Sequence, residues 1–170
     1  IVAEEPSVKT LEELTPHQRM VITMSGRGYV KSIPFDTYRL QHRGGKGSRG
    51  QPTRDDDVLR HLLIADTHDV LLFFTTRGRV FSLRCFQIYA DASKAARGTP
   101  MVNLVPLGEK ESISAILAVP SLHGDGYVIL GTRRARVKRM HLRALANIRS
   151  NGFFEPIYSY FIIFIHSHLN

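Results

Sequence analysis

The sequence predicts an all-β chain of about three repeated blades. Each has about four antiparallel strands, and together they form an incomplete propeller-like ring. Three observations carry that expectation. One pattern occurs three times, at residues 20–33, 70–83 and 127–140: an apolar strand-like run, a turn holding arginine, then alternating basic and apolar residues. Each copy reads as a β-hairpin with arginine at its turn. A landmark then follows each hairpin, Arg43-Gly44-Gly45, Arg97-Gly98-Thr99 and Arg149-Ser150-Asn151-Gly152, at a spacing slightly above fifty residues. Helical periodicity, finally, is scarce. A β-sandwich with accidental internal similarity is the competing architecture.

In chain order, residues 1–19 read as a lead-in from a preceding domain, since the chain begins at Ile1 rather than Met. Thr10 and Glu13 have capping-box spacing, so a short helix is expected at residues 10–14, stopped by Pro16. Residues 20–152 divide into blade 1 (about 20–66), blade 2 (about 67–119) and blade 3 (about 120–152). In the first hairpin, alternation puts Val30 and Ser32 on one pleat face and Tyr29 and Lys31 on the other. Further strands are expected at 58–65, 101–105 and 113–119. Residues 153–170 depart from the pattern: they hold no Lys or Arg and crowd six aromatics among isoleucines. This tail reads as non-native to the domain and prone to aggregate. A chain ending at Gly152 is therefore expected to be the more soluble one.

Composition bounds the function. Of 170 residues, 43% are hydrophobic and 22% charged, which excludes global disorder. The single cysteine, Cys85, excludes a disulfide scaffold and a Cys-based zinc site. No secretory signal is legible at the start of the chain. The most apolar stretch, 157–165, falls well short of the ~20 residues that span a bilayer. A soluble, cytoplasmic chain with no membrane partner is expected. Lys plus Arg number 23 against 15 Asp plus Glu, a net charge of +8. That excess is blocked: +6 over 21–54, +4 over 70–107 and +7 over 126–152, separated by acidic connectors of −4 and −2. Basic repeats of this kind point to an acidic partner, above all nucleic acid.

No nucleophile–base–orienter set is legible, and the segment is expected to be non-catalytic by itself. Cys85 lies in an alternating apolar run and reads as a core filler. Asp55-Asp56-Asp57 reads as an acidic connector rather than a Mg²⁺ site. His61 and His68 look too isolated for zinc, and no metal site is assigned.

The most specific string is Gln41-His42-Arg43-Gly44-Gly45-Lys46-Gly47-Ser48-Arg49-Gly50. Its glycines let backbone approach a phosphate, and Arg43, Lys46 and Arg49 neutralise it. It is not a P-loop: Leu40 stands where that motif needs its first Gly, and Gly47 where it needs Ser or Thr. The box resembles the Gln-Arg-Arg-Gly-Gly-Lys-Gly heptapeptide of the C-terminal domain of the DNA gyrase A subunit, a type IIA topoisomerase, with His42 the one departure. Gly28-Tyr29-Val30-Lys31, Thr67-His68-Asp69, Phe73-Phe74-Thr75, Ala96-Arg97-Gly98-Thr99-Pro100 and Asn147-Ile148-Arg149-Ser150-Asn151-Gly152 are similar to that domain as well.

The resemblance implies a β-pinwheel that wraps duplex DNA on a basic rim and so supports ATP-dependent negative supercoiling. It places the gyrase B subunit as partner in an A2B2 heterotetramer of a bacterial cytoplasm, with ATP and Mg²⁺ on other parts of the parent and no cofactor here. The DNA-binding candidates are Gln41, His42, Arg43, Gly44, Gly45, Lys46, Gly47 and Arg49 in the box. Arg27, Lys31, Arg77, Arg79, Arg97, Arg133, Arg134, Arg136, Lys138 and Arg139 join them from the hairpins and the second landmark. The corresponding domain of topoisomerase IV, where the box is usually degenerate, and a propeller binding acidic proteins are the alternatives.

Overall fold

The computed structural model describes residues 8–37, 57–88, 96–132, 135–148, 152–154 and 160–165. A short helix, α1 (Val8–Leu14), begins two residues before the capping-box spacing suggests. Thr15 donates its hydroxyl to Leu11 O at 2.7 Å, and Pro16 follows. All three expected hairpins form. They are β1 (Arg19–Ser25) with β2 (Tyr29–Pro34), β4 (Val70–Thr75) with β5 (Arg79–Arg84), and β8 (Tyr127–Thr132) with β9 (Val137–His141).

Each hairpin gains a third strand on its first member, always antiparallel. β3 (Leu59–Asp66) pairs with β1, β7 (Ile113–Val119) with β4, and β11 (Tyr160–Ile165) with β8. The first two pairings slip register at equivalent places, after Met24 and after Phe74. The fourth strand is exchanged between units. β6 (Thr99–Pro100), which follows the second hairpin, pairs with β2, and β10 (Phe153–Phe154) pairs with β5. The sheets therefore run β3-β1-β2-β6, β10-β5-β4-β7 and β11-β8-β9. Two short pieces of the atypical tail thus occupy the exchanged and third-strand positions that the other sheets fill with β6, β3 and β7.

The landmark glycines explain themselves at these crossings. Gly98 (φ 88°) and Gly152 (φ 87°) each stand just before an exchanged strand in a backbone region that disfavours side chains. A Cβ on Gly98 would lie 2.4 Å from Val30 O, and one on Gly152 would lie 2.9 Å from the Phe81 ring. Gly28→Ala provides a control, because its φ is 83° but nothing lies within 4 Å. In urea unfolding, Gly28→Ala is expected to cost about 1 kcal/mol, and Gly98→Ala at least about 2 kcal/mol, since Val30 must also move. Equal costs would mean that the close approach carries no energy.

Residues 101–105 read as a strand in the sequence, but only Thr99–Pro100 pairs. Met101 N–H turns to Gly28 O at 2.8 Å, and the N–H groups of Leu104 and Val105 return to Met101 O, so 101–103 forms a 3₁₀ turn. Pro106 has no donor with which to resume a ladder. The alternation is real but serves the core, since Met101 and Val105 are both buried.

The middle sheet is covered on both faces, which is why β4 reads as an unbroken apolar run. Leu71, Phe73 and Phe81 face Met20, Ile22, Met24 and Val30 of the first sheet. Leu72, Phe74 and Val80 face Val128, Leu130 and Met140 of the third. Cys85 fills the first of these clusters, where burial, together with the charges of Asp69 and Asp66, pushes its thiol up to about 12.

Candidate nucleic-acid interface

The hairpin turns repeat at atomic detail. Ser25 O accepts the N–H of Gly28 at 3.0 Å, and Thr75 O that of Gly78 at 3.1 Å. Their hydroxyls take further backbone donors: Ser25 Oγ accepts from Tyr29, and Thr75 Oγ1 from Arg77 and Arg79. Glycine with positive φ then restarts the second strand, a three-residue hairpin loop. The third turn has Ala135 at the equivalent place, also at positive φ (55°). Arg27 and Arg77 are left exposed at the crests of the first two turns, and Arg136, Lys138 and Arg139 are exposed beyond the third.

Two sets of contacts fix how the hairpins adjoin. Thr67, just before β4, exchanges backbone bonds with Gln18 at the start of β1 and with Phe86 after β5. A cleft of about 240 Å³ is bordered by Val70 and Arg84 of the second hairpin and by Ser121–His123 and Ala146, which flank the third. The starts of the three hairpins therefore adjoin one another, and the first two turns lie together on the far side. Between the first two turns runs the segment joining β6 to β7. It borders a second cleft, of about 260 Å³, with Gly26, Arg27 and Gly28, and bonds the second turn through Thr76 N–H to Ser112 O.

The structure distributes the sequence-read basic residues unequally. Arg77 donates to Glu109 O at 2.6 Å from an exposed position. Arg97 lies 4.3 Å over the Tyr29 ring, so the arginine of the second landmark stacks beside the exchanged strand. Lys31 differs from expectation: it is 1% exposed, and its ammonium donates to Ala96 O at 2.9 Å. Burial removes it from the surface and makes it an anchor for the segment leading to Gly98. Arg79 is also drawn inward. It donates through Nε to Glu111 Oε1 at 2.9 Å, through a second short bond to Glu111 Oε2, and to Pro106 O at 3.0 Å. The Glu111 side chain has no solvent exposure. Burial pushes its carboxyl up, but the bonds from Arg79, Thr75 and the Gly108 N–H outweigh this and hold it at about 2.

Sequence reasoning missed Arg60, which sits in the connector counted as acidic. β3 pairing carries it to the first turn, exposed, with its guanidinium beside Gly26. The signal was available: Arg60 is the single base of that connector. Asp57 is buried and accepts the Arg27 N–H at 3.0 Å, so the last acid of the Asp55–Asp57 run braces the same turn. On the opposite side, Arg84 pairs with Glu12 at 3.2 Å and Arg143 with Asp125 at 2.9 Å. The box residues Gln41, His42, Arg43, Gly44, Gly45, Lys46, Gly47 and Arg49 lie outside the described residues, as do Arg133 and Arg134.

Three comparisons bear on this arrangement. Residues 19–66, 69–120 and 126–153 match the family described as "DNA gyrase C-terminal domain, beta-propeller", one match per sheet unit. Over 141 residues the chain is 43% identical to the DNA gyrase A subunit of Dehalogenimonas lykanthroporepellens, covering 83% of this chain and 17% of that protein. Over 143 residues it is 38% identical to the DNA gyrase A subunit of Halalkalibacterium halodurans, covering 84% of this chain and 17% of that one. The chain therefore spans about a sixth of the length of these relatives. Among solved structures, a DNA gyrase A C-terminal domain superposes with a TM-score of 0.66 at 23% identity, covering 86% of this chain and 48% of that one. A topoisomerase IV C-terminal domain gives a TM-score of 0.63, also at 23%, covering 81% and 41%. At that identity the two structures speak for the fold alone.

Proposed function

The chain belongs to the DNA gyrase C-terminal domain family, and from that premise we propose that it is the DNA-binding and DNA-wrapping module of a gyrase A subunit. The observation that carries the reading is the row of exposed bases at the first two adjoining hairpin turns, Arg27, Arg60 and Arg77, with Arg136 and Lys138 exposed past the third. Such a row meets phosphates at intervals along an arc and needs no base readout. Bending a 20–30 bp stretch costs on the order of 1–6 kcal/mol, which several phosphate contacts offset through counterion release.

In the parent enzyme, wrapped DNA reaches the cleavage gate with a fixed crossing, and strand passage driven by ATP on the gyrase B subunit introduces negative supercoils. On this reading the chain works within an A2B2 assembly in the bacterial cytoplasm. The box Gln41–Gly47 favours gyrase over topoisomerase IV, whose corresponding domain shares the fold.

Fluorescence anisotropy with a 40-bp duplex at varied salt tests the binding. The log–log slope is expected near −0.9 per phosphate neutralised, so six contacts imply a loss of about 10³ in affinity between 50 and 200 mM salt. Unrelated duplex sequences should bind alike. A slope near zero, or preference for one short sequence, overturns nonspecific wrapping. Capture of polyglutamate with duplex DNA ignored would instead support a propeller for acidic proteins.

A further inference from the structure

His17, Asp66 and His68 are far apart in the sequence, but the fold brings them together where the lead-in meets the turn between β3 and β4. One ligand atom from each lies within 4.8 Å of the others. His17 Nδ1 is 2.8 Å and His68 Nδ1 3.5 Å from the same carboxylate oxygen, Asp66 Oδ1. These distances bracket the ~3.3 Å between ligand atoms that a tetrahedral ion with bonds of about 2.0–2.1 Å imposes.

Hydrogen-bond accounting at His68 shows what the cluster lacks. Its Nε2 lies 3.1 Å from Glu12 O, which only accepts, so this nitrogen carries the proton. Such a bond from the far ring nitrogen to a backbone carbonyl is what orients a metal-ligating histidine. In the neutral ring, Nδ1 is then a bare lone pair. It faces Asp66 Oδ1 and, at 3.2 Å, Thr67 Oγ1. The Thr67 hydroxyl proton goes to Pro16 O at 2.7 Å, while Gln18 N–H donates to the same oxygen. Nδ1 is thus surrounded by acceptors, and a cation between it and Asp66 resolves the conflict. The Asp66 carboxylate is already oriented by His68 N–H at 3.0 Å. His17 stacks on His68 at 3.9 Å. Its side chain is 76% exposed, and its Nδ1, now hydrogen-bonded to Asp66 Oδ1 at 2.8 Å, becomes the third ligand by giving up its proton and turning off that bond.

We propose that His17, Asp66 and His68 bind a divalent transition-metal ion of the zinc class. Two imidazoles and one carboxylate favour Zn²⁺, Ni²⁺ or Cu²⁺ over Mg²⁺, and leave a fourth position for water. The ion would tie the lead-in to the β3–β4 turn, beside the point where α1 already bonds His68 and Arg84 through Glu12. It would act as a clip on the path by which the chain enters the first blade.

Isothermal titration of the full chain with ZnCl₂ in metal-free buffer, paired with thermal melts, tests this. One site is expected, with the melting midpoint rising about 5–10 °C when free zinc is ~100-fold above Kd, and no rise with Mg²⁺. His17→Gln and Asp66→Asn should each lower zinc affinity at least about tenfold. The His17 change alters an exposed side chain, so the fold, checked by circular dichroism, should persist. Zinc affinity unchanged in both variants, or a wild-type midpoint that responds to pH but not to zinc, overturns the proposal.

Discussion

Replacing Glu111 by Ala is expected to lower the thermal midpoint by about 10 °C, the largest stability loss expected of any substitution outside the apolar clusters. The substitution leaves the Arg79 guanidinium, 22% exposed, without its counter-charge, and strips the Gly108 N–H of the acceptor it meets at 2.7 Å. Removing one partner of a buried pair costs about 3–5 kcal/mol, and a domain of this size loses roughly 2–4 °C per kcal/mol. The pH dependence follows with a definite sign. The carboxyl sits at about 2 in the folded chain against an ordinary 4.5. Its contribution is therefore fully present above pH 4.5 and is lost as pH falls toward 2. Glu111→Gln should flatten that part of the stability profile. Melts of both variants from pH 7 to pH 2.5 decide the matter: a wild-type profile no steeper than that of Glu111→Gln would show that the pair is not holding the second turn.

Changing Arg43 and Lys46 together to Ala, in an intact gyrase carrying this segment, is expected to eliminate detectable negative supercoiling and to spare ATP-independent relaxation. Cleavage and resealing lie elsewhere in such an enzyme, whereas wrapping selects which segment is passed. In the isolated chain, the same double substitution should flatten the salt slope by about 2, one for each phosphate no longer neutralised. Topoisomer ladders from relaxed plasmid read the first effect and anisotropy the second. Full supercoiling with an unchanged slope would give the box a purely structural part. A matched change at Arg79 sharpens the contrast: with its guanidinium committed to Glu111, Arg79→Ala should cost more in melting temperature than in DNA affinity.

The hairpins and their period were legible because each strand is long enough to show alternation or a full apolar run, and each turn carries its own glycine or arginine signature. β6 and β10 were not, since two residues have no period, and their partners, Val30 and Val80, lie in earlier units. Lys31 misled for a related reason. Alternation assigns it to the face opposite Val30, but β2 is buried on both faces, and the acceptor of its ammonium, Ala96 O, comes from the next repeat. Arg79 looked identical to Arg77 in the sequence; the return of 106–111 beneath the turn gives Arg79 the buried Glu111 carboxylate, whereas Arg77 meets the Glu109 carbonyl and stays exposed. His68 looked isolated because its neighbours are spatial: the antiparallel pairing of β1 with β3 sets Arg19 opposite Asp66 and so brings His17, just before β1, beside His68, just after β3.

The exchange of short strands also sets a timetable for synthesis. Val30 has left the ribosome long before Thr99, its partner across the first sheet, has been translated. At roughly 5–20 residues per second that interval lasts about 3–14 s. Throughout it, β2 offers an open edge able to recruit any passing strand. The first two sheets are thus each completed by a strand made later, and a pause in translation between residues 34 and 99, or between 84 and 153, would prolong the exposure of one such edge.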